Sequence, residues 1–203
     1  MTLDTQRAIR KKIKELRTQL TTQEQYHASQ AAARRLINSP LFLRSDAIVC
    51  YLAVQNELDT APIIREIWRR KKRCYLPVLA PTPHYHRLWF ALFTPDTPLK
   101  KNRFGIFEPV VSARQRYRLS ALDLVITPLV AFDATCHRIG MGGGFYDRTF
   151  AFLARRTHWR QPRLVGYAYE LQKIDTLPVN PWDIPLTSII TDQQLYTSDT
   201  RVR

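Results

Sequence analysis

Four of the chain's six glycines fall between positions 140 and 144, in the run Arg138-Ile139-Gly140-Met141-Gly142-Gly143-Gly144-Phe145-Tyr146-Asp147-Arg148. Glycine permits positive φ and lets a ligand approach the backbone with no Cβ in the way. Placed between a strand and a helix, such a loop can aim several N–H groups at a phosphate. Arg138 and Arg148 bracket it with positive charge. The chemistry indicated is phosphate binding, and two familiar versions of it are excluded. No G-K-[ST] follows the glycines, and Phe145 breaks a G-x-G-x-x-G fingerprint. Asp147, at the end of the loop, either caps the helix that follows or holds Mg²⁺ on nucleotide phosphates, an ion that takes one or two protein carboxylates plus phosphate and water oxygens. Asp183, in Asn180-Pro181-Trp182-Asp183, is a second loop carboxylate.

The remaining reactive side chains form no comparable pattern. His84-x-His86 offers two imidazoles without a third ligand, and His27 and His158 stand apart. His137 adjoins the glycine loop and is expected to face solvent. Cys50, Cys74 and Cys136 are odd in number and widely spaced, which fits neither a disulfide framework nor a zinc site. Cys136, beside Arg138, is expected to have a lowered thiol pKa.

The elements that must carry these residues alternate. Residues 5–20 form a helix, with Ile9, Ile13, Leu16 and Leu20 on one face. Thr22 and Gln25 start a second as a capping box, and Ser39-Pro40 ends it. Residues 47–53 are a buried strand. Thr60-Ala61-Pro62 then caps a helix carrying Ile63, Ile64, Ile67 and Trp68. Residues 73–79 form a strand that Pro77 makes irregular or places at an edge, and residues 87–93 form another. Residues 94–120 read as loop. Residues 123–127 are a strand; a long loop, 129–145, leads to a helix over 146–154; residues 164–169 and 188–191 are the last strands. Apolar strands alternating with helices predict an α/β domain, a mainly parallel sheet with helices on both faces. At 203 residues the chain reads as one domain spanning 1–203.

Charge narrows the partners. Lys and Arg total 31 against 17 Asp and Glu, a net charge of +14, which favours anionic ligands. The basic residues cluster at 5–17, 65–73, 100–118 (Lys100, Lys101, Arg103, Arg114, Arg116, Arg118) and 155–163 (Arg155, Arg156, Arg160, Arg163), as solvated helix faces and loops. Trp68, Tyr75 and Tyr117 stand near them, but no helix-turn-helix, RNP or zinc motif accompanies them, so nucleic acid is not the expected partner. No apolar run approaches the ~18 residues of a membrane helix. Residues 1–20 are polar and basic, with no apolar signal core, so a cytoplasmic protein that binds no membrane is expected.

In chain order, several segments together resemble one family. Phe132-Asp133, Arg138-Ile139-Gly140 and Gly142-Gly143-Gly144-Phe145-Tyr146-Asp147-Arg148 are similar to the signature F-D-x-x-G-x-R-L-G-x-G-x-G-Y-Y-D of the 5-formyltetrahydrofolate cyclo-ligases. Arg7-Ala8-Ile9-Arg10-Lys11 resembles that family's K-x-L-R-K, Glu57-Leu58-Asp59-Thr60 its E-[VI]-[DE]-T, and Asn102 to Pro109 its N-x-F-G-I-x-E-P. Tyr169-Glu170 with Gln172, then Leu177-Pro178 and Asp183, resembles its C-terminal element. Gln6 and Cys136 depart from the pattern; Cys136 replaces a glycine, so the turn before Arg138 is expected to differ.

The resemblance implies a sandwich related to sugar-phosphate isomerases and CoA transferases. It implies an ATP-dependent ligase acting on 5-formyltetrahydrofolate, with Mg²⁺; the basic surface would suit a polyglutamylated form of that substrate, and a monomer is expected. Arg7, Arg10, Arg138, Ile139, Gly140, Met141, Gly142, Gly143, Gly144, Phe145 and Tyr146 would bind ATP. Leu52, Glu57 and the loop from Met141 to Phe145 would bind the folate. Arg138, Tyr146 and Asp147 would act in catalysis, and Asp147 and Asp183 would hold the metal. Trp89 and Trp182 are further candidates for stacking on a flat ring.

Overall fold

The computed structural model describes residues 3–81, 86–111, 119–156, 161–177 and 180–198. Of the residues singled out above, His84, Arg114, Arg116, Tyr117, Arg118, His158, Arg160 and Pro178 lie outside these.

Three helices open the chain: α1 (Leu3–Gln19), α2 (Thr22–Ile37) and the single-turn α3 (Pro40–Leu43). The capping box at α2 sits one residue earlier than expected. Thr21 Oγ1 accepts from the Glu24 N–H at 3.2 Å, and Glu24 Oε2 accepts from the Thr21 N–H at 2.8 Å. Thr21 has extended backbone, as a cap requires, and Thr22 is already helical.

Next come β1 (Ala47–Val49), α4 (Ala61–Arg69), β2 (Arg73–Leu79) and β3 (Leu88–Leu92). Thr60 precedes α4 as expected but does not cap it with its side chain. Its hydroxyl donates to the Tyr51 carbonyl, while Asp59 Oδ1 accepts from the Ala61 N–H at 2.9 Å. The run 47–53 is a strand only to Val49. Beyond it the chain curls out of the sheet through Gln55 and Asn56, both in the left-handed region (φ 50 and 57). β2 is an interior strand, but β1 pairs with it only as far as Tyr75. At Pro77 the strand is bonded to β3 alone, so the missing N–H costs no ladder bond.

The remaining strands are β4 (Leu99–Lys101), β5 (Phe107–Pro109), β6 (Leu124–Pro128), β7 (Ala131–Phe132) and β8 (Arg138–Ile139). Helix α5 (Phe145–Phe150) follows, then β9 (Arg163–Tyr167), β10 (Ser188–Ile190) and β11 (Leu195–Thr197). The segment 94–120 is not loop throughout: β4 and β5 pair as a hairpin. The segment 129–145 likewise holds the small hairpin β7–β8. The helix expected to 154 gives way after Phe150 to a 3-10 turn over Ala151–Arg155.

Seven strands form one sheet in the order β11-β10-β9-β6-β1-β2-β3. The five central strands are parallel, and β3 and β11 join the edges antiparallel. Alternating side chains feed two cores. Ile48, Cys74, Leu76, Leu124, Ile126 and Val165 pack on one face under α2 and α4. Ala47, Val49, Val125, Leu164 and Ile189 pack on the other against Phe150 and Leu153. The expected parallel sheet with helices on both faces is therefore present. Helix α1 covers neither face. Its Ile13 packs on Val130, Ala131 and Ile139 of the β7–β8 hairpin, which brings the N-terminus across the end of the sheet.

From β1 the chain moves to β2 on one side, and from β6 to β9 and β10 on the other. Ligands in open α/β sheets bind at such a reversal, beyond the carboxyl ends of the strands.

Candidate active site

A cavity of about 1130 Å³ opens at that reversal. Single small-ligand pockets run to roughly 300–1,000 Å³, so this one lies just beyond the upper end of that range. The loop after β1 contributes Tyr51, Leu52, Val54, Gln55 and Glu57; β2 contributes Leu76, Pro77 and Leu79. The β4–β5 hairpin closes another side with Asn102, Phe104 and Phe107, and the whole run from Arg138 to Arg148 lines the cavity. Phe104, Phe107, Met141 and Trp182 are exposed, giving the cavity apolar side chains that a flat ring would cover.

The glycine loop is held at both ends. Arg10, from α1, donates through Nε to the Gly140 carbonyl at 2.9 Å, and its Nη2 donates to Gln6 Oε1 at 3.2 Å. Arg148 Nη1 donates to the Gly143 carbonyl at 2.7 Å. Gly144 is the residue before α5 and takes φ 63. A Cβ there would stand 2.7 Å from Arg148 Nη1, at the end of an exposed side chain that can shift, so it is the left-handed backbone that favours glycine here. Burial, then the charge of Arg7, lowers the pKa of Arg10 from the ordinary guanidinium value; the group stays charged.

Arg138 is almost wholly buried and doubly anchored. Its Nη1 donates to the Ile184 carbonyl at 2.6 Å and its Nη2 to Asp147 Oδ1 at 2.6 Å. Asp147 Oδ1 also accepts from the Ile184 N–H at 3.2 Å. Because Ile184 follows Asp183, this bond brings the two expected metal ligands to one corner of the cavity. Asp183 Oδ2 accepts from the Asn180 backbone N–H at 2.8 Å and from its side-chain amide at 3.1 Å. Two carboxylates beside a glycine loop that could hold phosphates would suit Mg²⁺. Among the described residues no group of three or more His, Cys, Asp or Glu gathers, so an ion here would complete its shell with phosphate and water oxygens.

Glu57 lines the same cavity. Its Oε2 accepts from the Val54 N–H at 3.1 Å. Burial pushes its carboxyl above the usual carboxylate range, with Val54 and the charge of Arg17 opposing. Tyr146 is pushed up as well, by burial first and then by the charge of Glu57, with Arg138 opposing. It is a neutral phenol, able to donate a hydrogen bond but not to act as a base near neutral pH.

The cavity thus gathers Arg10, Leu52, Glu57, Arg138, Ile139, Gly140, Met141, Gly142, Gly143, Gly144, Phe145, Tyr146, Asp147 and Asp183. Arg7 is exposed on α1 and lines no part of it. Trp182 lines it; Trp89, on β3, does not. One local expectation is corrected. The Cys136 thiol is pushed up to about 11, by burial and then by Asp133, not lowered. Cys136 itself takes φ 68, in the left-handed region that favours glycine. His137 is held within that turn, Nδ1 2.9 Å from Thr135 Oγ1 and 3.1 Å from Asp133 Oδ2.

Sequence reasoning did not single out His86, Asn102 or Phe104 as site residues. Asn102 braces the hairpin loop, accepting from the N–H groups of Phe104 (2.9 Å) and Ile106 (3.2 Å). The segment was visible as a motif, yet nothing in its spacing says that it folds over the cavity.

Residues 3–192 match the 5-formyltetrahydrofolate cyclo-ligase family. The chain is 42% identical over 185 residues to the 5-formyltetrahydrofolate cyclo-ligase of Escherichia coli strain K12, spanning 91% of this chain and 98% of that one. It is 40% identical over 185 residues to the enzyme of the same name from Haemophilus influenzae, spanning 90% and 95%. The NMR structure of Aquifex aeolicus 5,10-methenyltetrahydrofolate synthetase is similar with a TM-score of 0.79 at 28% identity, over 96% of this chain and 93% of that one. With these matches spanning nearly its whole length and the glycine loop and Glu57 lining one cavity, the chain belongs to the 5-formyltetrahydrofolate cyclo-ligase family.

Proposed function

We propose that the cavity takes ATP on the glycine loop and 5-formyltetrahydrofolate against the β1 loop, and closes the folate ring to 5,10-methenyltetrahydrofolate with release of ADP and phosphate. The observation that carries this is the gathering of Arg10, Arg138, the glycine loop and Glu57 around one cavity. The N5-formyl group is an amide, so its oxygen is a poor leaving group. Its attack on the γ-phosphorus, with departure of ADP, makes that oxygen a phosphate ester. N10 then attacks the formyl carbon, phosphate leaves with the carbon–oxygen bond, and the N10 proton is lost.

The chain's own work in this reaction is positioning and charge stabilisation. Gly140 to Gly144 supply backbone N–H groups to the triphosphate. Arg10 and Arg138 offset its charge, with planar forks suited to phosphate. Arg138 is held by Ile184 and Asp147, so it meets the phosphates in a set orientation. Arg7 acts at longer range, from outside the cavity. Glu57 accepts hydrogen bonds from the pterin while Leu52 packs on the ring, and Met141, Phe145 and Tyr146 form the facing wall. Asp147 and Asp183 would hold Mg²⁺, which supplies neutralisation of phosphate charge when bound.

The test is near-ultraviolet absorbance of methenyltetrahydrofolate, followed with protein and 5-formyltetrahydrofolate, with and without Mg²⁺ and ATP. Absorbance that rises only with ATP is the expected result. No rise with folded protein overturns the proposal.

A further inference from the structure

His86 lies between β2 and β3 and lines the cavity beside the glycine loop. Its Nδ1 is 3.2 Å from the Gly143 carbonyl oxygen, the same oxygen that accepts from Arg148 Nη1. A carbonyl oxygen only accepts, so Nδ1 is the protonated nitrogen of this ring. The imidazole also packs on Phe145, ring centroids 5.1 Å apart and planes at 38°, and Phe104 meets the same phenyl ring edge-on at 5.9 Å. The backbone of His86 is in the left-handed region, at φ 42, a conformation uncommon for a residue with a Cβ, histidine being among the residues that adopt it most readily.

A peptide unit is planar and trans, so its C=O and N–H point to opposite sides. Fixing the Gly143 carbonyl therefore fixes the direction of the Gly144 N–H. Gly143 and Gly144 have no side chains of their own to do this, and glycine samples both signs of φ freely. Arg148 is exposed, and a long exposed side chain loses rotamer freedom to hold one bond. The ring of His86, packed on Phe145, loses less. Arg10 grips the Gly140 carbonyl at the other end of the loop.

We propose that His86 is a positioning residue for the triphosphate site: by holding the Gly143 carbonyl it turns the Gly144 N–H toward the nucleotide phosphates. This rests on the reading that the glycine loop takes ATP.

The test is calorimetric titration of the full chain with a non-hydrolysable ATP analogue and Mg²⁺, with KM for ATP and kcat alongside. His86→Phe keeps a ring on Phe145 and removes the donor. His86→Gln keeps a donor and removes the ring. Loss of one hydrogen bond corresponds to about a fivefold weaker analogue affinity for His86→Phe. A matching rise in KM for ATP and an unchanged thermal midpoint are expected, and His86→Gln should recover most of the affinity. Should His86→Phe not fold, His86→Ala replaces it in the comparison with His86→Gln. A donorless variant that binds the analogue as tightly as the unaltered chain, or a Gln variant no better than it, overturns the proposal. If the unaltered chain binds no analogue, the ATP reading of the loop fails, and the first titration shows that before any variant is compared.

Discussion

Arg138 commits a hydrogen bond to the Ile184 carbonyl and an ion pair to Asp147, so its removal would free both partners at once. Bonds to charged groups contribute about 1.5–3 kcal/mol each. Arg138→Ala should lower kcat/KM for ATP by at least about tenfold, the equivalent of 1.4 kcal/mol; steady-state kinetics check it, and unchanged turnover removes Arg138 from the site. Glu57 gives a pH-dependent expectation. Its carboxyl is raised by burial, so the folded state holds that proton more tightly than the unfolded chain does. The ionised form then costs stability, a cost that begins as pH rises above the ordinary value of about 4.3 and is complete above the raised value. Glu57→Gln removes the cost. Its thermal midpoint relative to the parent should therefore be higher at neutral pH than at about pH 4, measured by thermal melts across that range. If Glu57 accepts from the pterin as proposed, KM for 5-formyltetrahydrofolate should rise as pH falls through the raised value, and a flat profile would sink that assignment.

At the scale of elements, β9 shows how tightly the sheet supports the site. A Cβ on Gly166 would lie 2.8 Å from Leu129 Cδ2, 2.8 Å from Leu186 Cδ1 and 2.9 Å from Ile189 Cγ1. Crowding of this kind costs about 1–3 kcal/mol. Gly166→Ala should lower the denaturant midpoint without changing the m-value, and no loss would mean that the three side chains relax freely. Most strands were readable because apolar runs such as 123–127 and 164–169 are local signals. The two small hairpins were not. The β4 strand, Leu99–Lys101, is exposed throughout, and a three-residue polar strand has no periodicity to detect. Its order depends on partners such as Glu108, which accepts from the Leu79 N–H at 3.0 Å.

For the whole molecule, no helix among the described residues is long and apolar enough to cross a membrane. The net charge of +14 opposes self-association by like-charge repulsion. The chain is therefore expected to sediment as a single copy at physiological salt, and a concentration-independent dimer in analytical ultracentrifugation would overturn this. The resemblance to the cyclo-ligases was readable from the sequence because its segments are short, local and in order, from Arg10 through Glu57 to the glycine loop and Asp183. So were the parallel sheet and the clustering of glycines at residues 140–144, since strand periodicity and the freedom of glycine belong to the residues themselves. The burial of Glu57, the clamp from Arg138 to Asp147 and Ile184, the approach of Arg10 to Gly140, the hairpin over the cavity and the contact of His86 with Gly143 came from the tertiary structure alone. Most of these join groups far apart in the chain, such as Arg10 and Gly140 or Arg138 and Ile184. Their distances are set by how the sheet and helices pack, which local sequence does not encode.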